Sequence, residues 1–125
     1  DLLEVMLAAT KPGGLAGVEL DFDERCAVTV VLAGAGYPAS SSKGDVITGV
    51  EEAAATGAEI LHAGTARRED GALVTAGGRV LNVTALGADH AAAREAAYAA
   101  ADLISFDGRQ LRRDIALQAA ERTTT

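Results

Sequence analysis

Cys26-Ala27-Val28-Thr29-Val30-Val31-Leu32-Ala33 is an almost unbroken apolar run that feeds directly into Gly34-Ala35-Gly36-Tyr37-Pro38-Ala39-Ser40-Ser41-Ser42-Lys43-Gly44. Its β-branched residues fit a pleated surface, and the lack of polar alternation predicts a strand covered on both faces. The segment behind it is rich in Gly, Ser and Pro, with one aromatic residue and one cation. A long flexible connection at the end of a central strand is a common place for ligands to be held.

Upstream of that run, Asp23-Glu24-Arg25 reads as a turn, and Val18-Glu19-Leu20-Asp21-Phe22 alternates apolar and acidic residues as a short strand with one wet face would. Thr10-Lys11-Pro12-Gly13-Gly14 contains both chain breakers. Before it, Asp1 to Ala9 has the spacing of an amphipathic helix with Leu2, Met6 and Ala9 on one side. No initiating Met precedes this helix, which predicts a longer parent chain upstream of Asp1.

Downstream, Thr48 to Ala55 reads as a short helix capped by Thr48 with Glu51 three residues on, and Gly57 stops it. Glu59 to Thr65 is a second strand and Ala72 to Thr75 a third, after the charged bend from Arg67 to Gly71. Gly77-Gly78 predicts a hairpin turn into a fourth strand, Arg79 to Gly87. Strands joined by such short turns should pair antiparallel. Asp89 caps the longest helix, which runs to Ile104 with a stripe of Ala93, Ala97, Ala100 and Ile104 widened by Ala96 and Leu103. Phe106-Asp107-Gly108 turns the chain toward Leu111 to Ile115, and Glu121 to Thr125 reads as a frayed tail. The expected architecture is α+β: a single domain spanning residues 1–125, an antiparallel β-sheet with two or three flanking helices.

Composition narrows the function classes. At 125 residues and 49% hydrophobic the chain can bury one core, and with 3% aromatics and no Trp that core must be Val, Leu, Ile and much Ala. A net charge of −7 without a Lys/Arg run opposes a nucleic-acid backbone. A few placed arginines can still hold one small phosphate. The single Cys26 inside a strand reads as a buried thiol in a reducing compartment. No stretch approaches the roughly 20 apolar residues of a membrane span, so the expectation is a cytoplasmic protein with no membrane and no nucleic-acid partner. A single Cys, two separated His residues and scattered acids predict no metal site on this chain.

Five short motifs in order carry a family resemblance along nearly the whole chain. They are Val31 to Pro38, Lys43-Gly44-Asp45-Val46-Ile47-Thr48-Gly49, His62-Ala63-Gly64-Thr65, Gly77-Gly78-Arg79-Val80-Leu81-Asn82-Val83-Thr84-Ala85 and Arg112-Arg113-Asp114-Ile115. With them the sequence resembles the C-terminal domain of the glycinamide ribonucleotide synthetases, the phosphoribosylamine-glycine ligases. It departs from that pattern at Ser40-Ser41-Ser42, where an aromatic often sits, and at Ala116, where a Gly often follows the Ile.

The resemblance implies an ATP-grasp ligase of purine biosynthesis. ATP activates the glycine carboxylate as an acyl phosphate, and phosphoribosylamine then attacks it. ATP and Mg²⁺ would be bound mainly by ATP-grasp domains upstream of Asp1, with no cofactor on this chain and no activity of the chain alone. The surface left by those domains predicts self-association.

The site residues expected on this basis are Gly34, Gly36, Tyr37, Pro38, Lys43, Gly44, Arg112 and Arg113, all as substrate contacts and none as a catalytic group. Arg112 and Arg113 offer bidentate donors for a substrate phosphate, as a C-terminal basic pair does in related ATP-grasp ligases. Adjacent residues in extended chain point opposite ways, so one of them could instead be a surface Arg paired with Asp114 or Asp107. The glycines at 34 and 36 would let backbone N–H groups approach a ligand. The same turn could equally seat the domain on a partner. Lys43 is open to a substrate or a solvent role, and His62 reads as hydrogen-bonded structure. The alternative function is a non-catalytic module, either a small ligand-binding domain or a biotinyl- or lipoyl-type carrier with Lys43 as the attachment point.

Overall fold

The computed structural model describes residues 1–123. Its elements in chain order are α1 (Leu2–Ala9), β1 (Cys26–Ala33), α2 (Val50–Ala55), β2 (Glu59–His62), β3 (Thr65–Arg67), β4 (Leu73–Thr75), β5 (Arg79–Gly87), α3 (His90–Leu103) and α4 (Leu117–Thr123). The main sheet has the order β1-β5-β2 with both pairings antiparallel, and β3 and β4 form a second two-stranded sheet. Among the described residues no helix is long and apolar enough to cross a membrane.

β5 sits in the centre. Its alternation puts Leu81, Val83 and Ala85 on one face, and their antiparallel partners on β1 are Leu32, Val30 and Val28. All six are buried and face α3. β1 is therefore an edge strand buried on one side, not the doubly covered strand its composition suggests: Thr29 and Val31 point away from the core, and Val31 is 37% exposed. Cys26, at the start of the strand, is a free thiol and half-buried.

α3 returns onto the sheet immediately after β5. The Asp89 carboxylate accepts the Ala92 N–H at 2.8 Å and caps the helix, as its sequence predicts. A Cβ at Gly87 would lie 2.3 Å from the Ala93 nitrogen, so helix and strand touch backbone to backbone. The buried stripe is Ala93, Ala97, Ala100 and Ile104, widened by Tyr98 and Ala101. Ala96 and Leu103, expected on that stripe, are exposed, because the buried arc of the helix widens toward Tyr98 and Ala101 instead. Alanines at the contact permit this close approach and are the best helix formers.

Several local expectations change. Val18 to Phe22 is not a strand; with no sheet edge beside it the alternation finds no partner, and Phe22 is 77% exposed. The helix α2 starts at Val50 rather than at a Thr48 cap. Thr48 is engaged in a two-way backbone bridge with Ser105 at 2.9 and 3.0 Å, and Gly49, at φ 81, turns the chain into the helix. The strand expected from Glu59 to Thr65 divides at Ala63-Gly64. Gly77-Gly78 is not a hairpin turn but the crossing point opposite that break, where Gly64 donates to Arg79 O and accepts from Ala76 N, both at 2.8 Å. β2–β3 and β4–β5 thus form one long antiparallel excursion, kinked where two glycine backbones cross. The frayed tail is helical through Thr123 as α4; Thr124 and Thr125 lie outside the described residues.

Candidate functional site

Three segments meet at the end of β1, on the sheet face opposite α3. The first is the glycine turn, where Gly34 N donates to Gly78 O at 2.8 Å and the Tyr37–Pro38 bond is cis. The second is the Gly77-Gly78-Arg79 crossing. The Tyr37 ring lies so close over it that a Cβ at Gly78 would sit 2.4 Å from Cδ2 of the ring. The third is the extended chain after α3. Gln110 and Ala33 exchange backbone hydrogen bonds at 2.8 Å each way, and the Gln110 side chain donates to Gly34 O at 3.3 Å.

Between them lies a cleft of about 410 Å³. Its floor is Thr29, Val31 and Ala33, its far wall Leu111 and Ile115, and its polar groups come from Tyr37, Gln110, Arg79 and Arg112. No carboxylate lines it directly. An apolar floor below guanidinium groups strengthens their attraction for an anion, because less water screens the charge.

The chain from Arg112 to Ile115 is fastened to α3 from below. Tyr98 Oη donates to Arg112 O and accepts from Ile115 N at 3.1 Å. Arg94 donates to Ile115 O at 3.0 Å and to Arg113 O at 2.6 Å. Pinned in this extended form, neighbouring side chains diverge. Arg112 turns to the cleft, while Arg113 turns back onto α3, where it grips Asp102 at 2.9 and 2.7 Å and lies 5.6 Å from the Tyr98 ring centre.

Arg112 is itself paired. Its Nε donates to Asp114 at 2.9 Å and its Nη2 to the second carboxylate oxygen. The Arg112 guanidinium holds the Asp114 carboxyl below its usual range, and Arg113, with Arg109 adding to it, does the same for Asp102.

Of the residues expected at the site, Tyr37 and Arg112 are thus brought together. Gly34, Gly36 and Pro38 build the turn that carries Tyr37; Gly36 has φ 80 and accepts the Ser40 N–H at 3.0 Å. Lys43 is exposed and does not line the cleft. Gly44 is tied to the sheet by its N–H to Thr75 O at 2.7 Å, inside a knot in which Ser42 and the buried Thr75 hydroxyls both donate to Asp45. Lys43 therefore sits in the connection between β1 and α2 rather than at the hairpin tip a carrier lysine would need. His62 is hydrogen-bonded to Thr65 at 3.0 Å, away from the cleft.

Arg79 and Gln110 were not among the expected site residues. The alternation of β5 assigns Arg79 to the outward face, but only the register that pairs it with Ala33 brings it to the cleft.

Residues 27–118 match the family described as phosphoribosylglycinamide synthetase, C domain. The phosphoribosylamine-glycine ligase of Mesorhizobium japonicum is 50% identical over 122 residues, covering 98% of this chain and 28% of that protein. The chloroplastic enzyme of that name from Arabidopsis thaliana is 47% identical, over 95% of this chain and 23% of its own length. A crystal structure of the phosphoribosylamine-glycine ligase of Thermotoga maritima superposes with a TM-score of 0.73 at 37% identity, covering 91% of this chain and 27% of that one. The chain spans roughly a quarter of the length of these relatives. With a family match that runs through the main sheet, α3 and the cleft, the chain belongs to the phosphoribosylglycinamide synthetase C-domain family.

Proposed function

We propose that this chain acts as a single C-terminal domain of a phosphoribosylamine-glycine ligase and supplies one wall of the pocket for phosphoribosylamine and glycine. The overall reaction is ATP, phosphoribosylamine and glycine to glycinamide ribonucleotide, ADP and phosphate. The observation that carries this reading is the cleft in which Tyr37 meets Arg112 over an apolar floor. A guanidinium there suits the phosphate of a phosphosugar, and a pinned backbone keeps it in place without an ordering cost at binding. Gly34, Gly36 and Pro38 serve by shaping the turn. Lys43-Gly44 belongs to the loop that follows the glycine turn. Arg113 pairs with Asp102 on α3 and stays outside the cleft.

ATP and Mg²⁺ belong to ATP-grasp domains, which are the proposed partners of this one. Among the described residues no three or more His, Cys, Asp or Glu side chains converge as metal ligands. Binding and positioning are the steps assigned to it. The apolar residues exposed between Leu2 and Phe22 suit a contact with that larger body, or with a second copy in its place.

The test is a coupled ADP-release assay on the 125-residue chain with ATP, glycine and phosphoribosylamine. No turnover is expected. Clear turnover would overturn this division of labour, since the chain would then have to bind and cleave ATP itself.

A further inference from the structure

We propose that the phosphate is gripped by Arg79 together with Arg112, and not by the adjacent pair Arg112 and Arg113. This rests on the reading of the cleft as a phosphosugar pocket and assigns the charges within it.

A phosphate monoester presents three oxygens and close to two negative charges at neutral pH. A stable grip calls for two guanidinium groups that converge from different directions with free donors. Arg113 meets neither condition. Its Nη1 and Nη2 are both engaged by Asp102, its plane lies against Tyr98, and it lines a different surface depression with Ala91, Arg94 and Glu95. Moving it to the cleft would strip Asp102 of its main partner and reverse the direction in which Tyr98 and Arg94 hold the backbone.

Arg79 meets both. Its guanidinium makes no hydrogen bond or ion pair among the described residues, and it lines the same cleft as Arg112. Its backbone is held on two sides, by the pairing with Ala33 and by Gly64 N–H donating to its carbonyl at 2.8 Å. Arg79 approaches from the central strand and Arg112 from the chain beyond α3, so the two charges come to the ligand from opposite walls. The balance of charge makes Arg79 necessary. Asp114 neutralises Arg112 through Nε and Nη2, leaving Nη1 without a hydrogen bond among the described residues. Arg112 can therefore offer donors but little net charge, and the net positive charge of the cleft comes from Arg79. Gln110, whose Nε2 already donates to Gly34 O, ties the chain beyond α3 to the glycine turn rather than holding the ligand.

The experiment is an NMR titration of the wild-type chain and of Arg79→Gln, Arg79→Lys, Arg112→Gln and Arg113→Gln with ribose 5-phosphate, with ribose and inorganic phosphate as controls and a melting curve for each protein. Wild type should show shifts at Val31, Tyr37 and Arg112 with ribose 5-phosphate, weaker ones with phosphate alone and none with ribose. Arg79→Gln should weaken ribose 5-phosphate by about tenfold or more, the effect of losing one charged hydrogen-bonding partner. Its melting temperature should stay unchanged, and Arg79→Lys should recover part of the affinity. Arg113→Gln should lower the melting temperature and leave affinity within about twofold. If Arg79→Gln binds as wild type does while Arg112→Gln does not, the clamp is wrong and the pocket stands. Equal losses in Arg112→Gln and a fully folded Arg113→Gln would restore the adjacent pair and likewise overturn the clamp. A wild-type chain with no shifts around the cleft would remove the pocket reading and the clamp with it.

Discussion

α1 and α3 carry apolar residues at the same helical spacing, and the residues of α1 are the larger and more hydrophobic. Yet α1 buries none of its side chains, with Leu2 at 73% and Met6 at 59% exposure, while the alanine stripe of α3 is fully buried. The difference lies in what stands opposite. α3 follows β5 through a short turn that Asp89 caps, so it falls back onto the strand it has just left, and Gly87 lets the backbones touch. α1 is separated from β1 by a run of turns and coil, and no sheet face is presented to it. A periodic apolar pattern states which face needs cover; connection and register decide whether cover arrives.

The largest effect should come from placing a charge on each stripe in turn. Ala97→Glu would bury a carboxylate between α3 and β5 where no partner exists, and should cost about 4 kcal/mol or more, enough to unfold a domain of this size. Met6→Glu on α1 should change stability by less than about 0.5 kcal/mol. Thermal melts followed by far-ultraviolet circular dichroism decide between them. A large loss in Met6→Glu would break the comparison by showing that α1 belongs to the cooperative core.

α4 sharpens the contrast, because it too is short and near a chain end but packs on α3, with Ala120 buried. It reaches α3 through a sharp bend at Ala116, whose φ is 58, the one positive φ of a non-glycine among the described residues. A glycine would adopt this backbone conformation without a Cβ penalty. A left-handed alanine costs about 1 kcal/mol, partly offset by the greater freedom of an unfolded glycine. Ala116→Gly should therefore raise the melting temperature by about 2 °C, with ribose 5-phosphate binding unchanged. An unchanged or lower melting temperature would mean that packing of the Ala116 methyl against the core outweighs the strain.

What could be read from the residues follows the same division. β5 and α3 were legible to within a residue or two because each signal there is local: two glycines before the strand, alternation along it, a capping Asp and an alanine stripe. Val18 to Phe22 failed because alternation is necessary for a half-buried strand and not sufficient; a neighbouring edge must exist. The composition of β1 locates the strand but suggests two covered faces, because Val and Leu pack equally well under a helix or beside an open cleft. At the site, Tyr37 and Arg112 could be picked out as residue types suited to a ligand. That Arg112 and Arg113 diverge follows from the extended chain, but which of them faces the cleft depends on Tyr98 and Arg94 holding backbone carbonyls from α3. Arg79 needed the cross-strand register, which no local window contains.

The smallest effect lies on the solvent side of α3, where Asp102 ties Arg113 down. The pair is exposed on both sides, 60% for Arg113 and 47% for Asp102, so solvent screening leaves it a small contribution. Its sign with pH is fixed. Arg113, with help from Arg109, lowers the Asp102 pKa in the folded state. The stabilisation is therefore present above the unfolded carboxylate range, near pH 4, and is lost as acid protonates the folded group. Asp102→Asn should melt about 1 °C below wild type at pH 7, and the gap should close as the pH falls through and below the carboxylate range. A gap that persists in acid would show that the side chain acts through its shape and hydrogen bonds rather than its charge, and that the outward turn of Arg113 is set by Tyr98 and Arg94 alone.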